Sequence, residues 1–555
     1  MHQRGRTVQA RNALGVRAMA SRSSMRSAMK TQTGGERVAL LLLVALAGLL
    51  LLSKPDRAPA PWFDEGWNLS VAANLVKTGA YAQLSLGQPV PPTLVSTGWP
   101  GILPLAVSFR LFGVGAWQGR LPGILFTTIG FVLVYWLARR LYNGRVAVAT
   151  LFVSVLMTGA HIHLHPVVLG RQALGEMPAL CYLLAGYLCL ILDWQRRPWL
   201  VLVSVLLWSL ALATKSQTIP FFALSLLAPA VITAVRRQWR WTAALAGALL
   251  LSLVGYGLVD ALPALLFPGS ALPESRVVAL VQGLFAQRAN TNLDMALVTT
   301  LGLHLNAFRS AWSVALPALA GLVYAGWNLV ANRRSRLQAP IPVGVTEIAL
   351  LILAGSWFLW WALLSVGWLR YLFPALFVSG MFTGSLLHDL TGGFSLAFVG
   401  RHVARVVRPR QWDRRSFGVL LAAALVIMAV AATVPTLIHA YGRDANTSLP
   451  AVVAYINDEA PSGAVVETFE SELFFLLQRP YHYPSNEVQF QLNRRTFLGQ
   501  EVPIDYDPLQ ADPDYLVVGS MGKMWRLYDP LIEAGSFHLV QHVGPYDVYE
   551  RVRGG

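Results

Sequence analysis

The chain has 555 residues, 55% of them hydrophobic and only 13% Asp, Glu, Lys or Arg, with a mean hydropathy of +0.50 and a formal charge of +16. Soluble domains carry roughly a quarter charged residues, so a soluble enzyme is excluded. The position of the positive charge then decides between a membrane and a nucleic-acid partner.

Residues 1–37 are rich in Arg and Ser with one acid, Glu36, and read as a basic cytoplasmic tail. Behind it, apolar runs approaching the roughly 20 residues that cross a bilayer recur between short polar stretches. They place spans at 38–53, 121–138, 146–160, 177–192, 198–213, 219–235, 241–259, 311–330, 348–368, 371–387 and 417–437. The expected fold class is a polytopic α-helical membrane protein of about 11 transmembrane helices, with a small C-terminal α/β extracytoplasmic domain. An odd span count puts the two ends on opposite sides. With the N-terminus inside, the inside segments hold 25 of the 44 Lys and Arg but only 4 of the 28 acids. That is the positive-inside bias, and it assigns the basicity to membrane lipids and topology, with no nucleic-acid partner.

The transmembrane domain covers 38–440, with long outward loops at 54–120, 161–177 and 260–310. Within the first, Asp64 to Thr78 sets Trp67, Val71, Ala72, Leu75 and Val76 on one helical face and Glu65, Asn68 and Lys77 elsewhere, which predicts a helix lying in the interface plane. Gly101 to Gly113 is apolar but interrupted by Pro104 and Arg110. It covers only about 20 Å of a roughly 30 Å core, so it is expected to be re-entrant or surface-lying. The stretch 260–310 carries Asp260, Glu274, Arg276, Arg288, Asp294, His304 and Arg309, so it is expected to be hydrated or packed on the bundle. From residue 441 to 555 there are 16 acids and 8 bases, the composition of a soluble domain. Its pattern predicts helix 448–459, strand 463–468, helix 470–478, strand 515–519, helix 523–534 and a hairpin 537–551 turning at Gly544-Pro545. Asn446-Thr447-Ser448 fits a glycosylation acceptor triplet.

Charge is scarce on the outward side, so each outward charge is a candidate. Asp64 and Glu65 open the first-loop helix between Phe63 and Trp67. They serve either as helix-end carboxylates or as a partly desolvated general base for a hydroxyl. His161, His163 and His165 alternate ahead of Pro166 and read as interfacial side chains or as metal ligands. Glu176 directly precedes an apolar run and needs a partner, for which Arg171 is the local candidate. Lys215 and Arg370 are single cations between outward span ends, suited either to snorkelling or to neutralising a phosphate.

The order of these residues is more specific than any one of them. Phe63-Asp64-Glu65, Asn74-Leu75, Gly79-Ala80-Tyr81, Gly98-Trp99-Pro100 through Leu111-Phe112-Gly113, Arg120-Leu121-Pro122, Arg171 to Pro178, Lys215 and Arg370-Tyr371-Leu372 together resemble the membrane GT-C glycosyltransferases. Within these, the chain most resembles the protein O-mannosyltransferase-like group that includes the lipid A aminoarabinose transferases and bacterial Rgt-type enzymes, over about residues 60–390. The resemblance implies transfer of a sugar, with inversion, from a polyprenyl-phosphate donor to a hydroxyl of an envelope glycan, lipid or protein acceptor at the outer face of the plasma membrane. It implies Asp64, Glu65 and Glu176 as catalytic carboxylates, and Arg171, Lys215, Arg370 and Tyr371 as substrate-binding. It further implies His163 and His165 as ligands of a divalent metal ion, although Glu at position 176 departs from the family's Asp. The rival reading, a membrane transporter or lipid-linked glycan flippase, would place ionisable residues in mid-span along a path and often in repeated halves. Here they cluster at outward ends.

Overall fold

The computed structural model describes residues 34–192, 197–267, 297–331, 341–365, 367–407, 413–442 and 447–553. The tail charges before Gly34, the loop charges Glu274, Arg276, Arg288 and Asp294, the Arg333 to Arg336 run and Asn446 lie outside the described residues, as does the side chain of His304.

The chain is an integral membrane bundle of helices. It runs through α1 (Gly34–Leu52), α2 (Phe63–Thr78), the hairpin β1 (Gln83–Ser85) and β2 (Gln88–Val90), α3 (Trp99–Phe112), α4 (Ala116–Leu141), α5 (Gly144–Leu156) and the short α6 (Pro166–Gly170). There follow α7 (Glu176–Ile191), α8 (Trp199–Thr214), α9 (Ile219–Val235), α10 (Trp239–Leu266), α11 (Leu297–Ala331), α12 (Ile341–Leu363), α13 (Leu369–Leu390), α14 (Leu396–Val407) and α15 (Arg414–Gly442).

Among the described residues, eight helices are long and apolar enough to span a bilayer. The other three expected spans correspond to α5, α7 and α8, of 13, 16 and 16 residues. At 1.5 Å per residue these reach about 20 to 24 Å, short of a roughly 30 Å core. Of the three, α7 is the most enclosed, burying Met177 through Cys181 and Leu183, Leu184, Gly186 and Tyr187, whereas α8 leaves Trp199, Leu202 and Leu206 exposed. The centre of the bundle is α13, buried without interruption from Arg370 to Leu387. Its neighbour α11 approaches closely because residue 321 is glycine; a Cβ there would lie 2.6 Å from the backbone nitrogen of Thr383. Small residues at such crossings are the usual means of helix association in lipid, where van der Waals contact replaces the hydrophobic effect.

The C-terminal part is an α/β unit with α16 (Ser448–Glu459), α17 (Asn486–Leu498), α18 (Ser520–Trp525) and α19 (Asp529–Glu533) around a five-stranded sheet. The strands are β3 (Val466–Thr468), β4 (Tyr481–His482), β5 (Tyr515–Val518), β6 (Phe537–Val543) and β7 (Tyr546–Arg551), in the order β4-β3-β5-β7-β6. β3 runs parallel to β4 and β5, while β7 pairs antiparallel with both β5 and β6. The expected helix 470–478 is a single 3-10 turn, Ser471–Leu473. The expected helix 523–534 is two helices, interrupted where Arg526 takes a left-handed φ of 52° and Pro530 opens α19. Strand β4 and helix α17 lie outside the elements expected from periodicity.

The C-terminal unit does not stand apart from the first loop. One continuous apolar core joins Phe63, Trp67, Ile102 and Phe109 of α2 and α3 to Phe469, Phe474, Tyr483 and Trp525 of the C-terminal unit. The approach is close enough that a Cβ on Gly66 would sit 2.3 Å from the Glu472 backbone nitrogen. Ser471 donates from Oγ to the Phe63 carbonyl, and Leu86 N–H, in the turn of the β1-β2 hairpin, donates to the Tyr481 carbonyl at 2.8 Å. Helix α2 therefore does not float in the interface plane as its pattern suggests. It is buried on every side from Glu65 to Asn74, its apolar face on the C-terminal unit and its polar face, Glu65 and Asn68, against the bundle. Helix α3, expected as re-entrant or surface-lying, packs beside α2 through Ile102, Leu105 and Phe109 and leaves Val107, Leu111 and Phe112 exposed.

Candidate active site

Helix α2 starts at Phe63 with Trp62 as its N-cap and no side-chain cap, so neither adjacent carboxylate is spent on capping. The helix turns the two acids in opposite directions. Glu65 is 0% exposed and accepts from Arg120 Nε at 2.7 Å, from Arg120 Nη2, and from the Ala173 backbone N–H at 3.0 Å. Arg120 is equally buried and also donates from Nη1 to the carbonyls of Pro55 and Pro59 at 2.9 and 2.7 Å. Glu65, expected to be catalytic, is thus the anchor of a sealed bidentate pair that ties α2 to α4 and to the turn before α7. In the sequence Arg120 stands in the Arg120-Leu121-Pro122 motif, 55 positions from Glu65, with nothing nearby to mark the two as partners.

Asp64 faces the other way and pairs with Arg370 Nη1 at the start of α13. The Arg370 guanidinium sits among the rings of Tyr371, Trp368 and Trp62, at 5.3, 5.5 and 5.6 Å from their centroids. Such a cage holds a cation in place by ring quadrupoles as well as by packing. Trp62 is itself fixed by its Nε1–H to Gln172 Oε1 at 2.6 Å, and Trp368 meets Phe497 of α17 edge to face at 5.7 Å.

The second pair is Lys215 with Glu176, Nζ to Oε1 at 3.0 Å, with Ser96 Oγ accepting from the same Nζ at 3.1 Å. Lys215 is extended, φ −146°, in the break between α8 and a 3-10 turn at Ser216–Thr218, which frees its side chain from the helix ladder and aims it at the head of α7. Arg171, expected to partner Glu176 and to bind substrate, is directed elsewhere. Its Nη1 donates to the carbonyls of Leu50 and Ser53 at 3.1 and 2.7 Å, and its guanidinium lies over Tyr441 at 4.7 Å, so it fastens α1 to α15.

Beside Arg370 and the Lys215–Glu176 pair is a cavity of about 10 Å3, lined among others by Glu176, Lys215, Gln217, Trp357, Arg370 and Tyr371. Gln217 is a residue that sequence reasoning missed: its buried Nε2 has no hydrogen-bond partner among the described residues and borders this cavity. A buried amide donor without an acceptor costs about 1 to 3 kcal/mol, which marks it as waiting for one.

The histidines flank this centre. His163 packs edge to face on Trp62 at 4.8 Å and stacks on His161 at 5.1 Å. Burial, then the neighbouring His161 and Arg370, push its pKa down to about 3 against the pull of Glu176. His165 caps α6, its Nδ1 accepting from Val167 N–H at 3.2 Å and its Nε2 bonded to the Val155 carbonyl at 2.8 Å. Burial holds its pKa down at about 4. With both ring nitrogens engaged, His165 has no lone pair for a metal. Among the described residues no three His, Cys, Asp or Glu side chains converge as a ligand set. The expected metal pair His163 and His165 therefore does not fit an ion.

The crystal structure of ArnT from Cupriavidus metallidurans bound to undecaprenyl phosphate matches this architecture with a TM-score of 0.58 at 16% identity, over 92% of this chain and 98% of that one. The chain carries the GT-C fold. A second GT-C structure, the archaeal oligosaccharyltransferase AglB from Archaeoglobus fulgidus in complex with an inhibitory peptide and a dolichol-phosphate, matches with a TM-score of 0.53 at 12% identity, over 94% and 74% of the two chains. The family model described as dolichyl-phosphate-mannose-protein mannosyltransferase matches residues 103–256, the segment from within α3 into α10. No curated protein matches by sequence.

Proposed function

We propose that the protein is an integral-membrane glycosyltransferase that moves a sugar from a polyprenyl-phosphate donor to an acceptor hydroxyl, with inversion, at the extracytoplasmic face of the plasma membrane. One observation carries this reading: on a GT-C fold, Arg370, the Lys215–Glu176 pair and an unpartnered amide donor, Gln217, line one small cavity, and Asp64 is bonded to Arg370 at its edge. A phosphate leaving group needs cationic stabilisation and little acid catalysis, whereas an acceptor hydroxyl needs a base. Lys215, Arg370 and Gln217 supply donors for the phosphate, and Tyr371 and Trp62 hold the guanidinium in position. Asp64, more exposed than Glu176, takes the acceptor proton. The acceptor oxygen forms its bond to the anomeric carbon as the bond from that carbon to the phosphate oxygen breaks. Glu65 and Arg171 act on the scaffold. The C-terminal unit faces the same side as Asp64, because it packs on α2.

The test is turnover of the purified full chain. Asp64→Asn is expected to lower kcat by about 10²- to 10⁴-fold in protein that is still folded at the assay temperature. A near-wild-type rate would remove Asp64 from the chemistry. Mass spectrometry of envelope lipids and glycans from cells with and without the gene identifies the sugar and the acceptor, and a reporter active only in the cytoplasm, fused after Val552, should stay dark.

A further inference from the structure

Each cation of the candidate phosphate seat is already neutralised by a carboxylate, and this contradicts a simple electrostatic trap. Arg370 is only 9% exposed in its side chain and is bonded to Asp64; Lys215 is 7% exposed and bonded to Glu176. An incoming anion meets pairs that carry no net charge. The two partners of the Arg370 pair differ in freedom. The guanidinium is enclosed by three rings, whereas the Asp64 side chain is 23% exposed and makes no cap to its own helix.

We infer that the donor phosphate displaces Asp64 from Arg370, so that binding of the donor is the event that frees the base. This rests on the glycosyltransferase reading and adds to it a sequence of ion exchange. Before binding, Asp64 is engaged by Arg370 and cannot accept a hydroxyl proton. The donor phosphodiester takes over the Nη1 donor of Arg370, and the Asp64 carboxylate turns toward the acceptor. After transfer, the acceptor proton resides on Asp64, and the electron pair of the broken sugar–phosphate bond resides on the phosphate, whose charge rises and strengthens its hold on Arg370. When the lipid phosphate departs, the protonated Asp64 meets an unpaired guanidinium, releases its proton to water and re-forms the pair. The enzyme is thereby reset, and without a donor its base is held closed, which suppresses stray proton transfer.

The exchange has a signature opposite to that of an ordinary binding residue. Removing Asp64 should strengthen binding of the lipid phosphate. The experiment measures the Kd of undecaprenyl phosphate for the detergent-solubilised full chain as wild type, Asp64→Asn, Arg370→Gln and the double variant. Asp64→Asn is expected to bind about tenfold more tightly than wild type, since a buried charge pair no longer has to be broken. Arg370→Gln should bind more weakly, and in the Arg370→Gln background the Asp64→Asn gain should vanish. A general loss of negative charge would give the gain in both backgrounds, and that result overturns the exchange, as does an equal or weaker Kd for Asp64→Asn. Asp64→Ser provides a second neutral variant should the first not fold. If the wild type itself fails to bind undecaprenyl phosphate, the functional reading fails; if it binds and Asp64→Asn brings no gain, the exchange alone fails.

Discussion

Asp64 and Glu65 are adjacent in the chain and opposite in environment, so the two amide substitutions should fail in different ways. Glu65→Gln leaves Arg120 buried without its counter-ion, a loss typically of about 3 to 5 kcal/mol. The expected outcome is a lowered unfolding temperature, with donor binding lost in proportion to the unfolded fraction. Asp64→Asn removes the counter-ion of Arg370, but from a partner that is 23% exposed and with the three rings around the guanidinium kept, so it should lower the unfolding temperature less than Glu65→Gln while turnover falls by about 10²- to 10⁴-fold. A buried histidine gives the pH counterpart. His165 is held neutral with a folded pKa of about 4 against 6.5 in an unfolded chain, so between these values the unfolded state binds more protons. Its contribution is fully present above pH 6.5 and is lost as pH falls toward 4, amounting to about 3 kcal/mol. Thermal unfolding between pH 7 and 4 should steepen accordingly, and His165→Asn should flatten that slope. At Gln217, the unpartnered amide predicts that Gln217→Leu weakens undecaprenyl phosphate binding several-fold while raising the unfolding temperature, because a buried polar group without a partner is removed from the empty site. The four charged residues of the seat were legible in the sequence because outward charge is scarce. Gln217 was not, since a neutral amide leaves no mark in a survey of charge.

At the level of elements, the pairing of Glu176 with Lys215 follows from two helices of equal length. α7 and α8 have 16 residues each and run as an antiparallel hairpin, so the first residue of one arrives beside the residue after the last of the other. Nearness in sequence pointed to Arg171 instead, and it failed because Arg171 follows a separate short helix that aims it at α1. The same kind of limit explains α2. Its apolar stripe was visible, but what covers that stripe lies about 400 positions later, and a membrane interface and a protein surface select the same pattern. Helix α17 was missed because its run is polar, with only Val488, Leu492 and Asn493 buried among its described side chains, although Ser485, which accepts from Val488 N–H, carried a capping signal. Gly66 provides a direct probe of the α2 packing. Gly66→Ala inserts a methyl group 2.3 Å from the Glu472 backbone, where neither side can yield by rotating a side chain. Overpacking of this kind costs about 1 to 3 kcal/mol, and limited proteolysis between α15 and α16 should quicken as the C-terminal unit loosens.

For the whole molecule, the shared core changes the role given to the C-terminal unit. Composition alone describes it as a soluble domain outside the membrane. In the structure it buries Phe63 and Trp67, the residues on either side of the two acids. Fully burying each such ring is worth roughly 1.5 to 3 kcal/mol, so a chain ending at Gly442 should retain the bundle but lose an ordered α2. The expected result is insertion into the membrane without turnover, and a truncated chain that still transfers sugar would show that α2 is ordered by the bundle alone. The Ser471 to Phe63 hydrogen bond joins positions 408 residues apart. At synthesis rates of about 5 to 20 residues per second, the ribosome needs roughly 20 to 80 s to reach Ser471 after α2 has emerged. During that interval the nascent protein occupies the membrane with Asp64 on a helix whose polar face can meet the bundle but whose apolar face has no cover. The helix that carries Asp64 is therefore finished last although it is made near the beginning, and under the proposed function a ribosome that stalls or a message that ends early should leave behind an inert bundle.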